Sequence, residues 1–108
     1  MATYMIQAAY TAEAWAAMAK NPNDRRPGIR KLAESLGGGL KEMYVTLGEY
    51  DVLVIVEAPD DTAATALAIA AVSAGHLKTT KTTKLLSVEE GLDAMRRAGT
   101  LSYSAPKA

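Results

Sequence analysis

The run Asp51-Val52-Leu53-Val54-Ile55-Val56-Glu57-Ala58 decides the fold. Side chains alternate between the two faces of a strand, so Val52, Val54 and Val56 point one way while Leu53 and Ile55 point the other. A strand with one wet side carries polar residues at every second position, and this one is apolar on both. It therefore belongs inside a sheet with both of its faces covered.

Moving toward the amino terminus, Leu40 to Leu47 alternates as a partner strand. Leu40, Glu42, Tyr44 and Thr46 are expected on one side, with Lys41, Met43, Val45 and Leu47 on the other. Gly48-Glu49-Tyr50 makes the tight connection of a hairpin. Before it, Pro27 suits the first turn of a helix, and Ile29, Leu32, Ala33 and Leu36 follow the i, i+3, i+4, i+7 spacing of one buried face. Gly37-Gly38-Gly39 ends that helix. The polar stretch Asn21 to Arg26, broken by Pro22, separates it from a helix over Ala12 to Lys20 around Trp15, capped by Thr11. Tyr4 to Tyr10 alternates, with Tyr4, Ile6, Ala8 and Tyr10 on one face, and reads as the first strand.

Toward the carboxyl terminus, Asp60 is an N-cap for a helix filled by Ala63 to Ala74 and closed by Gly75. From His76 to Leu86, threonines alternate with Lys78, Lys81 and Lys84, the pattern of a strand near a sheet edge. Ser87-Val88-Glu89-Glu90 has capping-box form and starts a short helix through Leu92 and Met95, ending near Gly99. Residues 1–99 thus form one domain, and Thr100 to Ala108 is a polar tail.

This order gives an α+β, ferredoxin-like βαββαβ sheet with helices on one face and a short C-terminal helix added. The first and third strands are central in that topology. One chain leaves the second apolar face of the third strand open. A second copy of the sheet is the simplest cover, because homo-oligomers usually close by two-fold symmetry. The alternative cover is the C-terminal helix folded back.

Composition narrows the function classes. The 108 residues are 49% hydrophobic and 22% charged, with twelve basic side chains balancing twelve acidic ones. No net field draws nucleic acid or an anionic membrane. The absence of cysteine removes disulfides and thiolate chemistry. One histidine, His76, is too few for a metal site built mainly from imidazole, so neither metal nor cofactor is expected. The amino terminus lacks a signal-peptide pattern, and Ala63 to Ala74 is too short and weakly apolar to span a bilayer. A cytoplasmic protein that associates with itself is the expectation.

Four blocks carry a resemblance. Leu32-Ala33-Glu34-Ser35-Leu36-Gly37-Gly38, Leu47-Gly48-Glu49-Tyr50-Asp51-Val52, Glu57-Ala58-Pro59-Asp60-Asp61 and Lys78-Thr79-Thr80 stand in order, and together the chain resembles the GYD domain family from about Thr3 to Leu92. The resemblance implies a small bacterial or archaeal protein of the dimeric α+β-barrel type, in a family largely without an assigned activity. The segment from Asn21 to Pro27 looks expanded, and the tail after Gly99 extends past the family core.

The candidate chemistry is sparse. Asp51 or Glu49 is a candidate general base, with Tyr50 as proton donor or ligand anchor. The same residues also suit a hairpin for conformational reasons alone. His76, just after a helix end, is a candidate base or a histidine favoured there by the helix dipole. Tyr4, Trp15 and Tyr44, with Glu49, are candidates to line an apolar ligand pocket, or they are packed aromatics. Three functions follow. The first is binding or sensing of a small ligand. The second is a cofactor-independent isomerase or oxygenase using His76, Tyr50 and Asp51. The third is a structural oligomerisation module.

Overall fold

The computed structural model describes residues 1–107. The chain runs β1 (Ala2–Tyr10), α1 (Ala12–Lys20), α2 (Arg26–Ser35), β2 (Gly39–Val45), β3 (Val52–Ala58), α3 (Asp61–Ser73), β4 (Leu77–Leu85) and α4 (Val88–Gly99). The four strands form one antiparallel sheet in the order β2-β3-β1-β4, so β1 and β3 are central. This is the ferredoxin-like arrangement.

Local chemistry sets the helix starts. Thr11 accepts from the Ala14 N–H at 3.1 Å and caps α1. Asp60 accepts from the Ala63 N–H at 2.8 Å and caps α3. Ser87 and Glu90 close a reciprocal capping box on α4, each bond 3.0 Å. At α2 no side chain of Arg25 caps the helix. Asp24 instead accepts from the Arg26 N–H at 2.9 Å and pairs with the Arg26 guanidinium at 2.8 Å.

The core lies between one face of the sheet and the helices. Tyr4, Ile6, Ala8 and Tyr10 of β1 meet Val52, Val54, Val56 and Ala58 of β3, under Ala33 of α2 and Ala64 and Leu67 of α3. Register places Tyr4 opposite Val56, Ile6 opposite Val54 and Ala8 opposite Val52, so the alternation read from the sequence becomes one continuous buried surface. The other face carries Met5, Gln7, Leu53 and Ile55, all half-buried.

Strand β2 departs from the expected alternation. Leu40 pairs with Val56 and Glu42 with Ile55, so Lys41 is a bulge. The extra residue reverses the face of what precedes it. Leu40 therefore joins Met43 against the core, while Glu42 and Tyr44 share the open face. A second bulge falls at Lys78, because Ala9 pairs with Thr79 and Tyr10 with Leu77.

The turn from α2 into β2 is built on glycine. Gly37 takes φ +83°, the left-handed region that glycine enters without strain. Its N–H donates to the Glu34 carbonyl at 3.0 Å, and the Gly38 N–H donates to the Ala33 carbonyl at 2.9 Å. Gly38 then passes so close to β3 that a Cβ there would lie 1.9 Å from the Glu57 carbonyl oxygen.

Helix α4 stands clear of this body. It buries no residue, and Val88, Leu92 and Met95 on one stripe are 76%, 42% and 68% exposed. The radius of gyration is 17.6 Å, against about 13 Å for a compact domain of ~100 residues. Among the described residues, no helix is long and apolar enough to cross a membrane.

Candidate functional site

The end of the sheet where β1 runs into α1 gathers most of the chain's unusual side chains. Tyr10 closes β1 on the helix-covered side, and its ring is the hub. The Trp15 ring meets it edge-on, with centroids 5.2 Å apart and planes at 76°. On another side His76 stacks with it, at 6.0 Å and 28°. The backbone fixes both neighbours. Thr11 donates its N–H to the His76 carbonyl at 3.0 Å, tying the start of α1 to the start of β4.

Asp51 clasps the same end from the β2–β3 connection. Its own N–H donates to the Ala8 carbonyl at 2.9 Å. Its Oδ2 accepts from the Tyr10 N–H at 2.9 Å and from the Trp15 Nε1–H at 3.1 Å. One carboxylate oxygen thus satisfies the last N–H of a central strand and orients the only tryptophan. Burial raises the Tyr10 phenol, and the Asp51 charge adds to this while Arg25 opposes it. Burial lowers the His76 imidazole, and the Arg25 guanidinium pushes the same way.

Beside this cluster opens a cleft of about 370 Å³ between α1, the segment leading into α2, and the end of β2. Tyr10, Trp15, Met18, Met43 and Val45 make its apolar wall, and Pro22 to Arg26 form the rim. Its size falls within the range of small-ligand sites, roughly 300–1,000 Å³. A neighbouring hollow of about 360 Å³ lies toward His76, sharing Met18, Asn23 and Arg25 with the first. Arg26 is held by Asp24, whose carboxyl the Arg26 hydrogen bonds bring down to about 2. Arg25 has no ion-pair or hydrogen-bond partner through its side chain among the described residues.

The structure brings Trp15, Asp51 and His76 to one end of the sheet, joined through Tyr10. Of the other candidates, Tyr4 lies at the far end, whereas Tyr44, Glu49 and Tyr50 lie near this end on β2 and its connection to β3 but line neither hollow. Tyr4 sits six residues up β1 from Tyr10, roughly 20 Å at ~3.3 Å per residue. Its hydroxyl donates to Asp61 Oδ1, which also meets the Lys84 ammonium at 3.0 Å. Tyr44 stands on the open sheet face and donates to Glu42 at 3.3 Å. Glu49 is exposed in the hairpin connection. Tyr50, half-buried beside it, accepts from Thr46 Oγ1 at 2.6 Å through its backbone carbonyl. No direct contact joins His76 to Asp51 among the described residues. Nor do three His, Asp or Glu side chains converge there as a metal site.

Sequence reasoning does not single out Tyr10, Met18, Arg25 or Met43. Tyr10 reads as one more residue of an alternating strand, and Met43 as one residue of another. Arg25 had a usable signal: it lies in the polar Asn21 to Arg26 segment, and a charged connection between short helices is where binding residues concentrate.

A GYD domain family model matches residues 4–95. No curated protein matches the chain by sequence. Among solved structures, TTHA0845 from Thermus thermophilus aligns with a TM-score of 0.53 at 16% identity, covering 81% of this chain and 95% of that one. AsnC from E. coli aligns at 0.52 and 20% identity, over 80% of this chain and 51% of AsnC. The transcriptional regulator NMB0573 of Neisseria meningitidis, solved in complex with L-Met, aligns at 0.52 and 13% identity, over 80% and 50%. The chain spans about half the length of these last two proteins. At such identities the likeness is one of fold, whereas the family match runs from the first strand into the last helix. The chain belongs to the GYD domain family.

Proposed function

We propose that this protein binds or senses a small ligand as a homo-oligomer, holding the ligand in the cleft against Trp15. The cleft carries the reading: an apolar wall of ligand size, beside an indole fixed in place by Asp51. The solved complex of the Neisseria regulator with L-Met is consistent with such a role for this fold, though one scaffold serves many functions.

Self-association rests on the sheet. Met5, Leu53 and Ile55 on the open face are only half-buried, so covering them would gain the remaining part of the roughly 1.5–3 kcal/mol that full burial of each is worth. The competing cover, α4 folded back, is disfavoured because α4 buries no residue at all. A second sheet laid on the first by a two-fold axis covers both copies at once. The isomerase or oxygenase reading has less to stand on, since Asp51 Oδ2 is already occupied by two donors.

Native mass spectrometry of protein purified without added ligand tests both halves. A dimer or larger species carrying extra mass is the expected result. A bare oligomer moves the weight to a structural module, and a monomer removes the argument from the open face.

A further inference from the structure

The charges around the cleft do not cancel. Arg26 and Asp24 neutralise each other across 2.8 Å at the rim. Asp51 is turned toward Tyr10 and the Trp15 indole and does not line the cleft. That leaves Arg25, exposed, without a side-chain partner among the described residues, and shared by the cleft and the hollow beside it. A planar guanidinium presents a fork of N–H donors that matches a carboxylate with two parallel bonds. Tyr10, Trp15, Met18, Met43 and Val45 make the rest of the wall apolar and aromatic.

From this juxtaposition we infer that the cleft takes a small organic monocarboxylate with an apolar or aromatic body, its carboxylate on Arg25 and its body against Trp15, Met18 and Met43. This deepens the ligand-binding reading and rests on it. A phosphate ester fits less well, because the cleft lining holds one unpaired cation among the described residues. His76 does not line the cleft, and burial and Arg25 push its imidazole toward the neutral form. A neutral apolar ligand would use the wall and leave the guanidinium in water.

The chain's single tryptophan lies in the cleft, so its fluorescence reports occupancy without a label. The intact protein is titrated with 3-phenylpropionate, with its neutral amide, and with hexanoate. The expected result is a saturable change in Trp15 emission for both acids and binding of the amide weaker by about 10-fold or more, the scale of a lost charged hydrogen bond. Arg25→Gln should remove the preference for acid over amide, and Arg25→Lys should restore part of it, with circular dichroism showing both variants folded. Equal binding of acid and amide overturns the carboxylate assignment and leaves the ligand-binding reading intact. So does unchanged acid binding in Arg25→Gln. No saturable response to any of the three at about 10 mM, where even a millimolar site would fill, overturns the inference. If that silence is joined by a bare protein in the mass spectrum, the ligand-binding reading falls with it.

Discussion

Replacing Gly38 by alanine should destabilise the protein far more than the same change one residue later. A Cβ at Gly38 would lie 1.9 Å from the Glu57 carbonyl oxygen, 2.9 Å from its carbon and 3.1 Å from the Ala58 Cα. All three are backbone atoms of β3, which is hydrogen-bonded on both edges and cannot step aside. Ordinary contact needs ~3.5 Å between carbons, so the α2–β2 turn would have to move by more than ~1 Å. Overpacking of this kind costs typically about 1–3 kcal/mol. Against it stands the ~0.4–1 kcal/mol that alanine gains by restricting the unfolded chain. With rigid backbone as the obstacle, a net loss of about 2 kcal/mol is expected, or roughly 8–16 °C in Tm for a domain of this size. At Gly39 nothing lies within 4 Å of an added Cβ, so Gly39→Ala should leave stability unchanged or raise it by up to ~1 kcal/mol through the same entropic gain. Urea unfolding followed by Trp15 fluorescence, at one fixed protein concentration, gives the comparison. Midpoints for the two variants that agree within error would refute the claim that Gly38 exists for this close approach.

Three further outcomes follow from the same geometry. Asp51→Ala leaves the Tyr10 N–H and the Trp15 indole without their acceptor, so stability should fall by about 1–3 kcal/mol and Trp15 emission should shift; an unchanged spectrum and midpoint would contradict the clasp. Leu53→Asp places a charge on the open face where a single chain tolerates it but a sheet-on-sheet contact does not, so sedimentation should show dissociation; an unchanged mass would place the interface elsewhere. The Tyr4 phenol, hydrogen-bonded to Asp61 and buried, is raised to about 12, above its unfolded value of ~10. The fold therefore favours the neutral phenol. That contribution is complete below the unfolded value and fades as pH rises toward 12. Ultraviolet titration should show a late tyrosinate step that Tyr4→Phe removes, and its persistence in the variant would assign it to another tyrosine.

The central strand was legible because its information is local: five aliphatic residues in a row leave no face for water, and the observed β3 buries Val52, Val54 and Val56 while half-covering Leu53 and Ile55. Caps were legible for the same reason, since Thr11, Asp60 and Ser87 act on N–H groups three residues away. The bulge at Lys41 was not, because alternation counts residues whereas a bulge is a property of the pairing. The site suffered most. Tyr4 and Trp15 look equivalent as aromatic candidates, yet the sheet sends them to opposite ends of β1. Tyr10, which joins Trp15 to His76, carries no mark in the sequence that separates it from Tyr4. Arg25 gains meaning only once Arg26 is seen to be paired and Arg25 is not.

The two bulges have a bearing on how copies can meet. Both fall on the outer strands, β2 and β4, and the extra residue in each is a lysine. A flat outer strand with free N–H and C=O groups invites another chain to extend the sheet without limit. A local kink spoils the straight hydrogen-bonding row such growth needs, and a charged amine beside it must be stripped of water before a neighbour can dock. Lateral growth is thereby disfavoured at both margins, which leaves the broad face as the surface for the self-association proposed above.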